Sequence, residues 1–132
     1  MKVIGIDYGA KRVGTALSDE RGMFAFPKMT LLNNKTLIPD LVAFIQKERV
    51  EKIVVGESKN FQGKENPIMR GARYFAKELE QETKLPVHFE PEWYTSVEAR
   101  RLTEMDGEVD AEAAAIILGS YLKKTRPHDD LA

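Results

Sequence analysis

Runs of apolar residues along the chain predict an alternation of strands and amphipathic helices. Val3, Ile4 and Ile6 form a short run without helical period, which is typical of a buried strand that ends at Asp7. Polar turns at 8–11 and 19–22 follow, so the first three strands are predicted to form an antiparallel meander. These strands span residues 2–7, about 12–18 and about 23–31.

Helical and strand patterns alternate in the rest of the chain. Ile38, Leu41, Val42 and Ile45 recur at helical spacing and predict an amphipathic helix over about 37–49. The remaining predicted elements are strands at 52–56 and 86–90 and helices from Asn66-Pro67 to about Lys84, from Thr95 and from Asp110. The sequence therefore predicts an α/β fold: a mixed five-stranded sheet, three antiparallel then two parallel strands, with helices on both faces.

Composition narrows the class of protein. The 132 residues carry a formal net charge of −1 and no cysteine, which excludes disulfide frameworks and thiolate chemistry and fits a cytoplasmic protein. No segment approaches the roughly 18 apolar residues of a membrane span, so we expect no membrane partner. We predict one domain over residues 1–124 and a flexible tail over 125–132.

Acidic residues gather where the predicted strands end. Asp7 closes the first strand, Glu57 follows the fourth, Glu92 follows the fifth, and Asp110 begins the last helix. Ligands of open α/β sheets collect at the carboxyl ends of the strands, which makes these acids candidates for chemistry. Structural alternatives remain open, because Asp7 also suits a tight turn before Gly9 and Asp110 suits a helix N-cap.

Basic residues form two candidate nucleic-acid contacts. Lys11 and Arg12 lie in the first hairpin, and Arg70, Arg73 and Lys77 form a stripe along the helix that starts near Pro67. A charged hairpin tip and a solvated helix face explain the same residues without a ligand. His88 and His128 form no dyad, which gives little support to histidine-based catalysis.

The opening motif resembles that of a known family. Matching residues continue at Val54-Val55-Gly56, at Gly63, Phe75, Glu92 and Thr95-Ser96, and through the last helix, so the resemblance covers essentially the whole chain. The motif itself consists of Gly5-Ile6-Asp7-Tyr8-Gly9, Lys11-Arg12, Gly14, Ala16 and Ser18-Asp19. It resembles the opening motif of the YqgF family, Holliday-junction-resolvase-like proteins assigned as pre-16S rRNA nucleases.

The resemblance implies an RNase H-like fold and a cytoplasmic, metal-dependent nuclease that processes the 5′ end of pre-16S rRNA. It implies Asp7, Glu92 and Asp110 as catalytic residues and ligands of Mg²⁺ or Mn²⁺. Hard divalent cations prefer oxygen ligands, and two such ions about 3.5–4 Å apart stabilise both the attacking and the leaving oxygen of a phosphodiester. The oligomeric state is left open between monomer and homodimer.

The chain departs from the family at one motif. The usual Asp-Glu-Arg is Pro91-Glu92-Trp93 here, so an acid and an arginine are missing. An arginine at that position could orient the glutamate or clamp a phosphate, and Trp93 can do neither. We hypothesise that Glu57 joins or partly replaces Glu92 as a metal ligand. For Trp93 two interpretations remain open: its ring stacks on an unpaired base, or it caps the core.

Other functions remain as rivals. A dimeric resolvase of branched DNA would use the same acids, and a non-catalytic RNA-binding assembly module would explain the changes at Pro91 and Trp93. A phosphate-binding ATPase of the actin and sugar-kinase kind also opens with a strand that ends in Asp-x-Gly, but such enzymes need two domains of this size.

Overall fold

The computed structural model describes residues 1–59, 67–93 and 108–125. Helices and strands follow one another as the hydrophobic pattern predicts. In chain order they are β1 (Val3–Tyr8), β2 (Arg12–Ser18), β3 (Ala25–Leu32), α1 (Leu37–Glu48), β4 (Lys52–Lys59), α2 (Ile68–Thr83), β5 (Val87–Trp93) and α3 (Glu108–Thr125).

The five strands form one sheet in the order β3-β2-β1-β4-β5. β1 pairs antiparallel with β2, and β2 pairs antiparallel with β3. β4 lies parallel to β1, and β5 lies parallel to β4. The predicted mixed sheet, three antiparallel and then two parallel strands, is confirmed. Within this sheet β5 is an edge strand, which is where proline, lacking an N–H, is tolerated, and Pro91 lies there.

Helices cover both faces of the sheet, as predicted. One face packs against α1 and α2, with Ile6, Val55 and Phe75 in its core. The other face packs against α3, with Val3, Val54 and a third core residue from the helix, Leu118. Alternate residues of each strand point to opposite faces. Residue parity along a strand therefore decides which face a functional side chain reaches.

Two glycines allow α3 to approach the sheet closely. A Cβ built on Gly5 of β1 would lie 2.6 Å from the Cβ of Leu118, closer than real Cβ atoms come. A Cβ on Gly14 of β2 would overlap the carbonyl of Asp110. The absence of these two side chains sets the height of α3 above β1 and β2.

Several predicted boundaries are wrong by a few residues. β4 continues to Lys59 and β5 to Trp93, because the ladder between them extends past the apolar runs that defined the prediction. Glu57 therefore lies within a strand, not in a loop after it. Asp110 lies inside α3, which begins at Glu108, so the alternative that Asp110 is an N-cap is wrong.

Other predictions fall outside the described residues. These are the helix start at Asn66, the helix from Thr95, and the tail beyond Thr125, so the proposed division into residues 1–124 and 125–132 stays a prediction. Among the described residues, no helix is both long and apolar enough to span a membrane.

Candidate functional site

Asp7 and Asp110 lie on the same face of the sheet. In the β1–β2 ladder Asp7 is directly opposite Gly14. Gly14 in turn faces the backbone of Asp110, whose carbonyl occupies the space where a Cβ would stand. Because directly opposite residues of an antiparallel pair point to one face, the side chain of Asp7 points to the face that carries α3. Two of the predicted catalytic acids are thus brought together around one glycine.

Arg12 holds the carboxylate of Asp110. Its Nε donates to Oδ2 of Asp110 at 2.9 Å, and the two side chains are 38% and 21% exposed. A pair this accessible contributes little to stability. Its larger effect is to orient one carboxylate oxygen. Asp110 also lies in the first turn of α3, where the helix dipole favours negative charge.

The backbone of Glu92 continues β5 beyond its predicted end. It occupies the register position opposite Ser58 of β4, so it lies two strands from β1. The side chain of Glu92 lies outside the described part of the structure. Among the described residues, no three Asp, Glu, His or Cys side chains are grouped as a metal centre requires, so the candidate pair here is Asp7 and Asp110.

Glu57 lies on the opposite face from Asp7. Val55, two residues earlier in β4, belongs to the core under α1 and α2, and alternation gives Glu57 the same direction. Its Oε2 accepts from Nη2 of Arg73 in α2 at 2.6 Å. This placement contradicts the hypothesis that Glu57 supplements Glu92 as a metal ligand. The physical reason is that side chains alternate between the two faces along β4. The sequence pattern predicts a loop at Glu57 after the strand, where this alternation does not apply.

The predicted basic stripe lies on the exposed side of α2. Arg70, Arg73 and Lys77 are all exposed, while Ala72, Phe75, Ala76 and other residues of the inner face are buried. Arg73 differs from its neighbours because its guanidinium also packs over the ring of Phe89, 4.8 Å from the centroid. Lys11 is exposed in the first hairpin, and its carbonyl accepts from the backbone N–H of Asn33 at 2.9 Å.

A buried acid, Glu90, lies in β5 and is absent from the sequence prediction. Its side chain is fully buried, yet Oε2 lies 2.6 Å from Nζ of Lys124 and accepts from Oγ of Ser120 at 3.0 Å. Its Oε1 has no hydrogen bond, although Nε2 of His88 lies 3.4 Å away. The pattern Val87-His88-Phe89-Glu90 alternates apolar and polar residues, which indicates a solvent face for Glu90; only the docking of α3 buries it.

Comparisons with known proteins show which proteins this chain is similar to. The family model of RuvX, described as Holliday junction resolvase, matches residues 1–124. A protein of Maridesulfovibrio salexigens named "Putative pre-16S rRNA nuclease" is 34% identical over 134 residues, covering 94% of this chain and 99% of that protein. A protein of Nitratidesulfovibrio vulgaris with the same name is 37% identical over 132 residues, covering 92% and 93%.

Among solved structures, the Thermus thermophilus RuvC structure aligns with a TM-score of 0.58 at 15% identity, covering 95% of this chain and 96% of that one. At this identity the likeness concerns the fold alone. It confirms the predicted RNase H-like fold.

Proposed function

Because the chain belongs to the RuvX family, the one its opening motif resembles under the name YqgF, we propose that it is a divalent-metal-dependent nuclease that processes the 5′ end of pre-16S rRNA. The observation that carries this proposal is the convergence of Asp7 and Asp110 on one face of the sheet. Family membership supports hydrolysis of phosphodiester bonds, and the relatives' names support the RNA substrate. We propose that the enzyme acts in the cytoplasm.

The donor set fits Mg²⁺ or Mn²⁺. Asp7 and Asp110 offer carboxylate oxygens, which hard divalent cations prefer, and Glu92 is the third proposed ligand by its position in the family motif. Bound ions supply an activated water and neutralise charge on the phosphate and the leaving oxygen. Arg12 holds Asp110 in one orientation, so only the other carboxylate oxygen is left clear of that ion pair.

The exposed cations carry the electrostatic part of binding. Lys11, Arg70 and Lys77 are proposed to contact backbone phosphates, and Arg73 does so from a guanidinium already fixed by Glu57 and Phe89. Because the net charge is only −1, this attraction depends on where the cations lie and not on the total charge of the chain. Each phosphate contact releases counterions, so binding is expected to weaken steeply as salt rises.

Cleavage assays with matched variants test the proposal. Wild type, Asp7→Asn and Asp110→Asn are incubated with pre-16S 5′-leader RNA in Mn²⁺, Mg²⁺ or EDTA, and the ends are mapped. Asp40→Asn is the control, because Asp40 is an exposed acid in the first turn of α1. Wild type and Asp40→Asn are expected to cleave only with metal, and the other two variants to be inactive. Metal-dependent cleavage that survives in Asp7→Asn would refute the assignment of the site.

The description of the family model favours a second candidate, a Holliday junction resolvase. Such an enzyme makes paired cuts across a two-fold symmetric junction, so it is expected to act as a homodimer. A four-way DNA junction is therefore the second substrate in the same assay, with sedimentation measured on the active species. Paired cuts by a dimer, without cleavage of the leader RNA, would replace the rRNA proposal by the resolvase.

A further inference from the structure

A cavity lies at the end of β1, on the face opposite Asp7. It has a volume of about 690 Å³, within the usual range of small-molecule sites. Tyr8 lines it from β1 and immediately follows Asp7 in the chain. The cavity and the candidate catalytic acid therefore occupy the two sides of the same strand end.

Aromatic side chains form a large part of the cavity wall. Tyr8 and Phe75 lie with ring centroids 4.8 Å apart, and Tyr74 is 75% exposed. Gly71 contributes no side chain, and a Cβ there would be at ordinary contact distance, 3.4 Å, from the Tyr8 ring. An exposed tyrosine beside a glycine leaves room for a planar group to stack on the wall.

Two amides supply polar atoms to the same cavity. Nδ2 of Asn33 donates to the carbonyl of Gly9 at 2.8 Å, and Oδ1 of Asn34 accepts from the N–H of Thr36 at 3.0 Å. These bonds fix both side chains. Among the described residues, these bonds use Nδ2 of Asn33 and Oδ1 of Asn34, which leaves Oδ1 of Asn33 as an acceptor and Nδ2 of Asn34 as a donor on two residues that line the cavity.

The charges around the cavity disfavour a phosphate. The lining residues include one lysine, Lys35, and two glutamates, Glu78 and Glu82. A phosphate group inside the cavity would be repelled by this net negative charge. A neutral, flat ring with donors and acceptors on its edge fits both the charge and the aromatic wall.

We propose that this cavity binds one unpaired nucleobase of the RNA strand whose backbone passes Asp7. The inference rests on the proposed function and deepens it: the base enters on the Tyr8 side of the strand end, where α2 carries the cations proposed to contact flanking phosphates, while the phosphate to be cleaved lies on the Asp7 side. Stacking on Tyr74 and the two amide contacts hold the base. The enzyme thereby selects RNA that is single-stranded at the position next to the bond it cleaves.

Binding in EDTA tests the cavity independently of cleavage. A single-stranded leader RNA is compared with a series in which each nucleotide in turn is abasic. For wild type, one abasic position is expected to weaken binding about tenfold, the size of one base–aromatic stack. Tyr74→Ala is expected to bind the intact RNA about tenfold more weakly and to lose its sensitivity to that abasic position. Tyr74→Phe, which keeps the ring, is expected to behave as wild type.

Two further variants control for the fold and for general aromatic exposure. Gly71→Leu fills the cavity from α2 and is expected to weaken binding as Tyr74→Ala does, with a melting temperature no lower than wild type. Phe24→Ala removes another exposed aromatic, which is 61% accessible and does not line the cavity, and is expected to leave RNA binding unchanged.

The two proposals fail separately. Equal binding of all abasic RNAs by wild type, or an abasic effect that persists in Tyr74→Ala, would overturn the nucleobase site while leaving metal-dependent cleavage intact. A protein that binds with the expected pattern but never cleaves in Mn²⁺ would overturn the proposed function and support the cavity as a nucleobase site.

Discussion

Replacing Glu90 by Met and replacing its partner Lys124 by Met are expected to change stability in opposite directions. Glu90 is fully buried, whereas the Lys124 side chain is 59% exposed. Removing the lysine leaves a buried carboxylate whose one remaining hydrogen-bond donor, within the described part of the chain, is Ser120. Removing the glutamate eliminates the buried charge, and both former partners are exposed enough to hydrogen-bond to water.

The structure sets the size of each effect. Breaking a fully buried ion pair costs about 3–5 kcal/mol of folding free energy. Because Lys124 is more than half exposed, solvent screens this pair, and the expected cost of Lys124→Met is about 1–3 kcal/mol. Glu90→Met also removes Oε1, a buried oxygen without a hydrogen bond. Since replacing buried ionic groups by apolar ones of similar volume is often neutral or favourable, we expect a change between zero and about 2 kcal/mol of stabilisation.

Urea unfolding at fixed pH measures both changes. With a slope of about 2 kcal/mol/M, Lys124→Met is expected to lower the midpoint by about 0.5–1.5 M, and Glu90→Met to leave it unchanged or raise it. Lys123→Met is the matched control: Lys123 is exposed beside Lys124, and its loss is expected to matter by less than about 0.5 kcal/mol. A Glu90→Met protein as unstable as Lys124→Met would refute the reasoning, because the pair would then stabilise the fold more than an apolar side chain does.

Further predictions concern the site and the turn at 19–22. Gly14→Ala places a Cβ on the carbonyl of Asp110, and the forced shift of α3 is expected to lower cleavage about 100-fold. Arg12→Met removes the partner of Asp110 and is expected to lower kcat about tenfold while changing stability by less than about 1 kcal/mol, measured by steady-state kinetics and urea unfolding. Backbone N–H groups, that of Phe24 foremost, hold the pKa of Asp19 below 3.8. The stabilising effect of the Asp19 carboxylate is therefore present above that pH and is lost as pH falls through the folded pKa. Asp19→Asn is expected to reduce the loss of stability at acid pH, measured by unfolding curves at several pH values.

Each of these has a result that would contradict it. Gly119→Ala is the control for Gly14→Ala, since a Cβ there meets nothing within 4 Å; equal activity of the two variants would show that glycine at 14 does not position Asp110. Unchanged kcat in Arg12→Met would remove the orienting role of the arginine. A loss of stability at acid pH identical to that of wild type in Asp19→Asn would show that the turn does not couple to folding.

Most of the fold was accessible from the sequence because its signals are local. The apolar runs at Val3–Ile6 and 53–55, and the helical spacing of Ile38 to Ile45, depend only on the residues themselves. The ends of β4 and β5 were missed because the last residues of these two strands are held by their hydrogen-bonded ladder, not by a local apolar pattern. Glu57 illustrates this. An acid after a glycine is typical of a loop, but Glu57 lies in β4, where its carboxylate pairs with Arg73 of α2.

The site was only partly predictable, since which face a residue reaches depends on register. Asp7 and Asp110 were identified as candidates, but their convergence depends on the pairing of Asp7 with Gly14 across a hairpin and on the docking of α3. Glu90 was missed for the same reason, because its burial comes from a helix distant in sequence. Charge and periodicity do not encode such long-range packing.

The contact between Arg12 and Asp110 has a consequence for how activity arises during folding. The two residues are 98 positions apart, so closing this contact carries one of the largest loop entropies in the described chain and belongs to the slow, high-contact-order part of the reaction. A molecule in which α3 is not docked holds Asp7 without its companion acid. Such a molecule is expected to be inert toward RNA, so the proposed nuclease requires docked α3 for activity.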